Sequence, residues 1–310
     1  MARSAPTRIG TDADWTDVCA GSGGGCTVGG GELFCWGYNG YGEVGDGTTT
    51  TRRQPVRIGT DSDWANVSVG DVHGCALKQG GALFCWGHPG YGKLGLGPAV
   101  NSDPVLTPTQ VGSAAWSSVT AGSNHTCGIR AGALYCWGQG FFGAIGIGSN
   151  LYVFEPAQVG TDTDWRSVAA GWSATCAVKT NGQTLCWGEN IAGQLGDGTT
   201  ANRSSPAGVA SSANFVDVQM GSNHACGLTQ TGQAFCWGAN DDGRLGLGHN
   251  GNVRTPTAIA TPLASLGLGG SHSCGIRTDG VLLCFGDNSS YQLGQDTSTE
   301  TRPVAIRWRD

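Results

Sequence analysis

Short stretches in which apolar and polar residues alternate run along the chain, separated by glycine-rich turns. Residues 64–87 show this pattern clearly. Because side chains point alternately to the two faces of a strand, the pattern predicts strands at Trp64–Gly70, His73–Lys78 and Ala82–Gly87. A long glycine-rich loop follows. Pro108–Val111 is then predicted as a short outer strand that begins with proline, where a missing N–H is tolerated.

The same unit occurs six times. A Cys-Trp-Gly motif ends the third predicted strand in five units, and Cys-Phe-Gly replaces it in the sixth. The motifs begin at Cys35, Cys85, Cys136, Cys186, Cys236 and Cys284. They are nearly evenly spaced, which makes each unit one supersecondary repeat. Such units must bury their apolar faces against neighbouring units, which is typical of propeller blades.

We therefore predict an all-β fold, a β-propeller of four-stranded antiparallel blades that forms one domain over residues 1–310. Six blades are favoured, seven are the alternative, and a β-solenoid is the other architecture that fits repeats. Pro6–Ile9 and Pro303–Ile306 both resemble the fourth strand, so one of them is expected to complete the closing blade.

A large aromatic residue opens the first strand of most units and is predicted to pack between neighbouring blades. These residues are Trp15, Trp64, Trp116, Trp165 and Phe215. Alternation places a second set on one face of the same strand, namely Val67, Val119, Val168, Val218 and Leu266.

Composition narrows the classes of function. Charged residues make up 13% of the chain, the net charge is −6, and lysine occurs only at Lys78, Lys93 and Lys179, which argues against a nucleic-acid partner. No apolar run approaches the length of a membrane span, so no membrane insertion is expected. Residues 1–6 lack the apolar core of a signal peptide. The protein is therefore either intracellular or a form from which a leader has been removed.

Twelve of the 13 cysteines form six pairs, and the two members of each pair are close in the chain. The pairs are Cys26/Cys35, Cys75/Cys85, Cys127/Cys136, Cys176/Cys186, Cys226/Cys236 and Cys274/Cys284. The cysteines of each pair lie on the two strands of one hairpin, and the turn fixes which residues are opposite each other. In unit three Arg130 is placed opposite Ala133, and in unit six the turn is the three-residue loop Thr278–Gly280. In both cases the cysteine pair falls on a non-hydrogen-bonded site. The Cα atoms at such sites are about 4.5 Å apart, which allows a disulfide.

Six disulfides are therefore predicted, and at this density they indicate an oxidising compartment. Twelve free thiols are the alternative. A zinc site is disfavoured because no Cys-x-x-Cys motif occurs. Cys19 is left over and is predicted to be a buried free thiol, with an intermolecular disulfide as the alternative.

The repeats resemble those of the regulator of chromosome condensation family. The resemblance is carried by residues 221–228 and 232–248 and by the Gly-Gln-Leu-Gly loop around Gln194-Leu195-Gly196, and it spans almost the whole chain. It implies a β-propeller, usually of seven blades, and for the nuclear members a role as guanine-nucleotide exchange factor. The nuclear members lack the paired cysteines, which resemble those of secreted bacterial repeat proteins instead.

Two sets of recurring polar residues raise the question of a metal site. His73, His125, His224 and His272 occupy equivalent turns, but they are expected to be too far apart for one ion and to bond backbone instead. Two aspartates precede Trp15, Trp64 and Trp165, and these are interpreted as turn caps rather than as a calcium site. No metal and no cofactor are predicted.

The long loops after the third strands vary between units, and aromatic residues gather there. On a rigid scaffold, exposed aromatics in variable loops are typical of contact residues. The candidate binding residues are Tyr41, Tyr91, Phe141, Phe142, Tyr152 and Phe154, together with Trp172 in a first-to-second-strand turn. Unit three supplies the best single patch, although several of these side chains could instead pack into their own loops.

The sequence contains no nucleophile elbow, paired acid motif or phosphate loop, so no enzymatic activity is expected. The favoured function is a secreted or extracellular protein-binding or adhesion module that uses loops on one rim, and a periplasmic location is also considered. One alternative is inhibition of an enzyme, since the propeller-type β-lactamase inhibitor protein resembles this family. Others are nucleotide exchange on a small GTPase and binding of carbohydrate. The sequence leaves the oligomeric state open.

Overall fold

The computed structural model of the chain describes residues 14–295 and 299–306. Over these residues it contains 24 β-strands in six four-stranded antiparallel sheets, and the strands of each sheet follow one another in the chain. Each sheet is one blade of a six-bladed β-propeller, which confirms the predicted fold class. No helix within the described ranges is long and apolar enough to cross a membrane.

The strands of the first three blades have the following bounds. Blade one consists of β1 (Trp15–Ala20), β2 (Gly24–Gly29), β3 (Glu32–Gly37) and β4 (Arg52–Arg57). Blade two consists of β5 (Trp64–Val69), β6 (His73–Lys78), β7 (Ala82–Gly87) and β8 (Val105–Ala115). Blade three consists of β9 (Ser118–Ala121), β10 (His125–Arg130), β11 (Ala133–Gly138) and β12 (Val153–Gln158). Two short 3-10 helices lie in loops at Gly90–Gly92 and Phe141–Gly143.

The other three blades repeat this order. Blade four consists of β13 (Trp165–Ala170), β14 (Ala174–Lys179), β15 (Thr184–Gly188) and β16 (Arg203–Gly208). Blade five consists of β17 (Phe215–Met220), β18 (His224–Thr229), β19 (Ala234–Gly238) and β20 (Val253–Ala258). Blade six consists of β21 (Ser265–Leu268), β22 (His272–Ile276), β23 (Leu282–Gly286) and β24 (Glu300–Ala305).

Two expectations about outer strands are refined by the structure. β8 is longer than the predicted Pro108–Val111, because it begins at Val105 and, after a register shift, continues until Ala115 lies opposite Ala82. β24 contains Pro303–Ala305 and is the fourth strand of blade six. The other candidate closing segment, Pro6–Ile9, lies outside the described residues.

All six predicted cysteine pairs form disulfides. Each joins the second and third strands of one blade at directly opposed residues whose Cα atoms are 4.1 Å apart. The two predicted registers are confirmed: Arg130 lies opposite Ala133, and Arg277 N donates to Val281 O across the Thr278–Gly280 loop. Hairpin geometry alone therefore sets the disulfide positions.

The core consists of apolar layers between neighbouring blades. Trp64, Trp116, Trp165 and Phe215 are buried there as predicted. Trp15 differs from these residues because it is 36% exposed. The prediction that Trp15 packs between blades is therefore wrong. The tryptophans of the Cys-Trp-Gly motifs add a second layer that the sequence did not reveal. Trp86, Trp187 and Trp237 each donate a 2.9 Å hydrogen bond to a loop carbonyl of the preceding blade.

Candidate interaction site

The turns between first and second strands and the long loops after third strands lie on the same rim of the propeller. This follows from the antiparallel order of every blade, since the chain reverses direction at each connection. We call this side the loop rim. Six of the predicted binding aromatics lie in its connections, namely Tyr41, Tyr91, Phe141, Phe142, Tyr152 and Trp172.

Four of these aromatic side chains form a continuous surface on the loops of blades two and three. Ring centroids are 5.2 Å apart for Tyr91 and Tyr152, 5.5 Å for Phe141 and Tyr152, and 6.5 Å for Phe141 and Phe142. Each side chain is 39–47% exposed. Rings at these separations attract one another, so they stay in place without a covering layer. We call these four residues the aromatic patch.

Two residues of the aromatic patch have an unfavourable backbone conformation. Tyr91 has φ 68° and Phe142 has φ 58°, in the left-handed region that glycine tolerates and bulky residues avoid. Each is held there by the tight turn of its 3-10 segment, and the glycine that follows is buried. A strained residue whose ring is exposed contributes little to the core, and this is an observation that points to function.

The other three predicted contact residues do not join the aromatic patch. Phe154 is half-buried in β12 and lies next to Gly92, the residue that follows Tyr91. Tyr41 lies edge-on against His88 with a centroid distance of 4.7 Å. Trp172 is exposed at the mouth of the central channel. Phe154 therefore lies beside the loop that carries Tyr91, whereas Tyr41 and Trp172 lie elsewhere on the loop rim.

A buried lysine beneath the aromatic patch was missed by the sequence reasoning. Lys93 is almost fully buried, its Nζ donates to Asn124 Oδ1 at 2.8 Å, and it lies 5.5 Å from the centre of the Tyr91 ring. Burial lowers the pKa of Lys93 to about 8. The corresponding residues of the other loops are Glu43, Ala144, Gln194, Arg244 and Gln292, so a cation occurs at this position in two of the six loops, and the one available signal was this change of residue type.

The repeated histidines join neighbouring blades. His73, His125 and His224 are fully buried, and the Nε2 atom of each lies 2.8–2.9 Å from a hydroxyl oxygen of the next blade. The hydroxyls belong to Thr126, Thr175 and Ser273 respectively. The expectation that these histidines bond backbone is therefore wrong, and they act as structural links between blades.

The direction of each link follows from its hydrogen count. Each hydroxyl donates its single hydrogen to a loop carbonyl of the histidine's own blade, at 2.7–2.9 Å. The imidazole must then donate from Nε2, so a neutral ring has its hydrogen on Nε2. Burial keeps the ring neutral, since it lowers the pKa of His125 to about 4 and the pKa of His224 to about 3.

The paired aspartates also have a structural partner. Lys78 Nζ lies 2.8 Å from Asp61 and 2.9 Å from Asp63, and Lys179 forms the same contacts with its own pair of aspartates. The hydrogen bond from Lys78 to Asp61 raises the pKa of Lys78. Lysine thus occupies the position that a cation would take. Over the described parts of the chain, no group of three or more metal-ligating side chains occurs.

Cys19 lies in β1, beside the central channel that the first strands of the blades enclose. It forms no disulfide within the described residues and is half-buried rather than buried. Its Sγ accepts a hydrogen bond from Val69 N at 3.2 Å, and burial raises the pKa of the thiol. The environment of Cys19 therefore disfavours the reactive thiolate form.

Comparison with known families matches the repeats directly. The family described as the regulator of chromosome condensation (RCC1) repeat matches residues 30–77, 80–129, 131–178, 181–228 and 231–276. The chain belongs to the RCC1 repeat family. A second model with the same description matches residues 64–93, 165–194, 215–244 and 264–292, so RCC1 repeats extend through all six blades.

Several solved structures share the RCC1 propeller fold. Human WBSCR16 is 20% identical with a TM-score of 0.89, over 98% of this chain and 84% of that chain. Prp20p from Saccharomyces cerevisiae is 19% identical with a TM-score of 0.81, over 94% of this chain and 76% of that chain. The ectodomain of the receptor kinase CR4 from Physcomitrella patens is 25% identical with a TM-score of 0.55, over 86% of this chain and 59% of that chain.

Proposed function

We propose that this RCC1 repeat protein is a secreted module that binds a protein partner through the aromatic patch on its loop rim. The observation that carries the proposal is the patch itself: four exposed aromatic side chains in mutual contact, two of them on strained backbone. Aromatic residues held rigid on a scaffold lose little conformational entropy on binding and dominate the energy of protein interfaces.

The backbone strain gives the proposal a thermodynamic basis. A non-glycine residue in the left-handed region costs about 1–2 kcal/mol relative to its ordinary conformation. The equivalent residues of three other loops, Tyr41, Ala192 and Asp242, do not have a positive φ, so the left-handed conformation is particular to Tyr91 and Phe142 among these positions. Tyr91 and Phe142 therefore reduce folding stability, and a contact with a partner would offset that loss.

The disulfides support an extracellular location. Six intramolecular disulfides are typical of proteins that fold in an oxidising compartment. The similarity to the ectodomain of the receptor kinase CR4 is consistent with this location. Intact mass after thiol alkylation tests the proposal on protein isolated from its native compartment. We expect one alkylated cysteine before reduction and all 13 after it, whereas 13 before reduction would contradict secretion.

A protein partner is also consistent with relatives. The Prp20p structure is described together with that protein's binding to Gsp1p and histones, and another Prp20 structure is bound to Kap60. The aromatic patch would be equally suited to binding and inhibiting an extracellular enzyme. The proposal would be replaced if the protein were found to catalyse nucleotide exchange on a small GTPase or to bind carbohydrate.

Site-specific photo-crosslinking tests the proposed surface. A photoreactive phenylalanine analogue is placed at Phe142, and in a matched control at Asp242, the equivalent loop position of blade five. Both proteins are exposed to the extracellular proteins of the source organism. We expect a discrete protein adduct at Phe142 that unlabelled wild type competes away and the Tyr91→Gly/Phe142→Gly variant does not. Equal crosslinking at both positions would contradict the proposal, and an adduct with a small GTPase would favour exchange activity.

A further inference from the structure

Four blades have a cationic residue at the same position, three residues after the first cysteine of the blade's disulfide. These residues are Lys78, Arg130, Lys179 and Arg277. Lys78 and Lys179 each contact two aspartates from the connection before their blade, and Arg277 contacts Asp279 in its own turn. The guanidinium of Arg130 forms no ion pair and no hydrogen bond with the described residues. Arg130 is therefore the exception among the four.

The connection that leads into blade three explains why Arg130 lacks a partner. Residues 59–64, before blade two, read Gly-Thr-Asp-Ser-Asp-Trp. The equivalent residues 112–116 read Gly-Ser-Ala-Ala-Trp, which is one residue shorter and contains no acid. Ala115 takes the place of Asp63, since each precedes a tryptophan whose N–H donates to a turn carbonyl of the preceding blade. Both carboxylates are thus absent from this connection, although the cation is present.

The aromatic surroundings of the cation are the same in blades two and three. The Cζ atom of Arg130 lies 4.0 Å from the centre of the Tyr135 ring and 5.1 Å from that of Trp116. Lys78 has the equivalent pair of rings 5.3 and 5.4 Å from its Nζ. Contact with ring faces holds the guanidinium in place but supplies no acceptor for its N–H groups. Blade three therefore positions the cation without satisfying its donors.

A surface cavity of about 430 Å³ lies beside Arg130, and its volume is typical of ligand sites. It is lined by residues of β8 and β12, the fourth strands of blades two and three, and Gln110 and Ser113 contribute polar side chains. The carboxylate of Glu155 also lines it, but this side chain is exposed, lies beside Gly97 and forms no ion pair with Arg130. The cavity therefore contains a cation that no described carboxylate contacts.

We propose that this cavity binds an acidic peptide segment whose two carboxylates, on residues i and i+2, take the place that Asp61 and Asp63 occupy beside Lys78. Side chains at i and i+2 of an extended segment point to the same side, so both can reach one cation, as they do in blade two. The planar guanidinium of Arg130 matches a carboxylate with two parallel N–H donors, which favours this acceptor over a neutral one.

The proposed site is separate from the aromatic patch. Arg130 is the last residue of β10, next to the turn between the second and third strands, and this turn lies on the rim opposite the loop rim. The inference therefore does not depend on the proposed function, and each can fail without the other.

Fluorescence anisotropy tests the proposal with a labelled peptide, Gly-Thr-Asp-Ser-Asp, which has the sequence of residues 59–63. In a control peptide both aspartates are asparagine. Arg130→Gln removes the charge from the site, and Ala115→Asp supplies a carboxylate to Arg130 from within the chain. Lys179→Gln is the matched control, since it changes the net charge equally at the equivalent position of blade four. Circular dichroism and intact mass establish that each variant is folded with six disulfides.

We expect the acidic peptide to bind the wild type and the Lys179→Gln variant equally, and to bind the Arg130→Gln and Ala115→Asp variants about tenfold more weakly. The asparagine peptide should bind the wild type more weakly by a similar factor. Absence of binding, equal affinity for the two peptides, or unchanged binding after Ala115→Asp would overturn the proposal. Succinate is added as a competitor: displacement at the concentration needed for unlabelled peptide would assign the site to a small dicarboxylic acid and would also overturn the peptide proposal.

Discussion

The link between blades three and four allows a quantitative test of how the propeller is held together. Thr175 Oγ1 lies 2.8 Å from His125 Nε2 and donates to Ala144 O at 2.9 Å. Thr175→Val keeps the shape of the side chain but leaves the His125 N–H buried without a partner. Trp187 Nε1 still donates to Ala144 O, so that carbonyl keeps a partner. Since a buried unsatisfied donor costs about 1–3 kcal/mol, we expect Thr175→Val to lower the free energy of unfolding by about 2 kcal/mol.

The assay is guanidinium unfolding of the oxidised protein, followed by circular dichroism and compared at equal m-value. Thr175→Ser is the control, since it keeps the hydroxyl and loses one buried methyl group, for a cost of about 1 kcal/mol. A double-mutant cycle with His125→Ala should give a coupling energy of about 1–2 kcal/mol. If Thr175→Val leaves the free energy of unfolding unchanged, or if the two substitutions are additive, the described link does not contribute to stability.

The pH dependence, one disulfide and the aromatic patch each give a further prediction. The contribution of His125 to the free energy of unfolding should level off above about pH 6.5 and should fall as the pH drops toward 4, because burial depresses the pKa of His125 to about 4 and the unfolded chain binds the proton first. Measured by pH-dependent unfolding, this loss should be about 3 kcal/mol, and the His125→Ala variant should show a shallower slope between pH 6.5 and pH 4. Removal of one disulfide by Cys127→Ala with Cys136→Ala should lower the free energy of unfolding by about 2–3 kcal/mol in chemical denaturation, and no change would refute the loop-entropy argument. Tyr91→Gly and Phe142→Gly should each raise the unfolding free energy by about 1 kcal/mol, since they remove left-handed strain, and a loss of stability instead would show that the rings belong to the core.

Features that depend on neighbouring residues were predicted correctly. The alternation of apolar and polar residues located the second and third strands, and in the second unit the predicted bounds of both agree with the structure at His73–Lys78 and Ala82–Gly87. The disulfide register followed because a hairpin fixes which residues lie opposite each other once its turn is known. The length of β8 was underestimated because the strand continues past a register shift that the alternation of residues does not show.

The sequence by itself therefore determined the repeat, the strands within each blade and the cysteine pairs, because all of these are local to a single unit of the repeat. Only the tertiary structure decided contacts between blades. His125 and Thr175 belong to successive blades, the rings of Tyr91 and Tyr152 meet across two loops, and Trp15 differs from Trp64 only in what packs against it. Each depends on how one blade is rotated against the next, and the alternation of residues along a single strand does not encode that rotation.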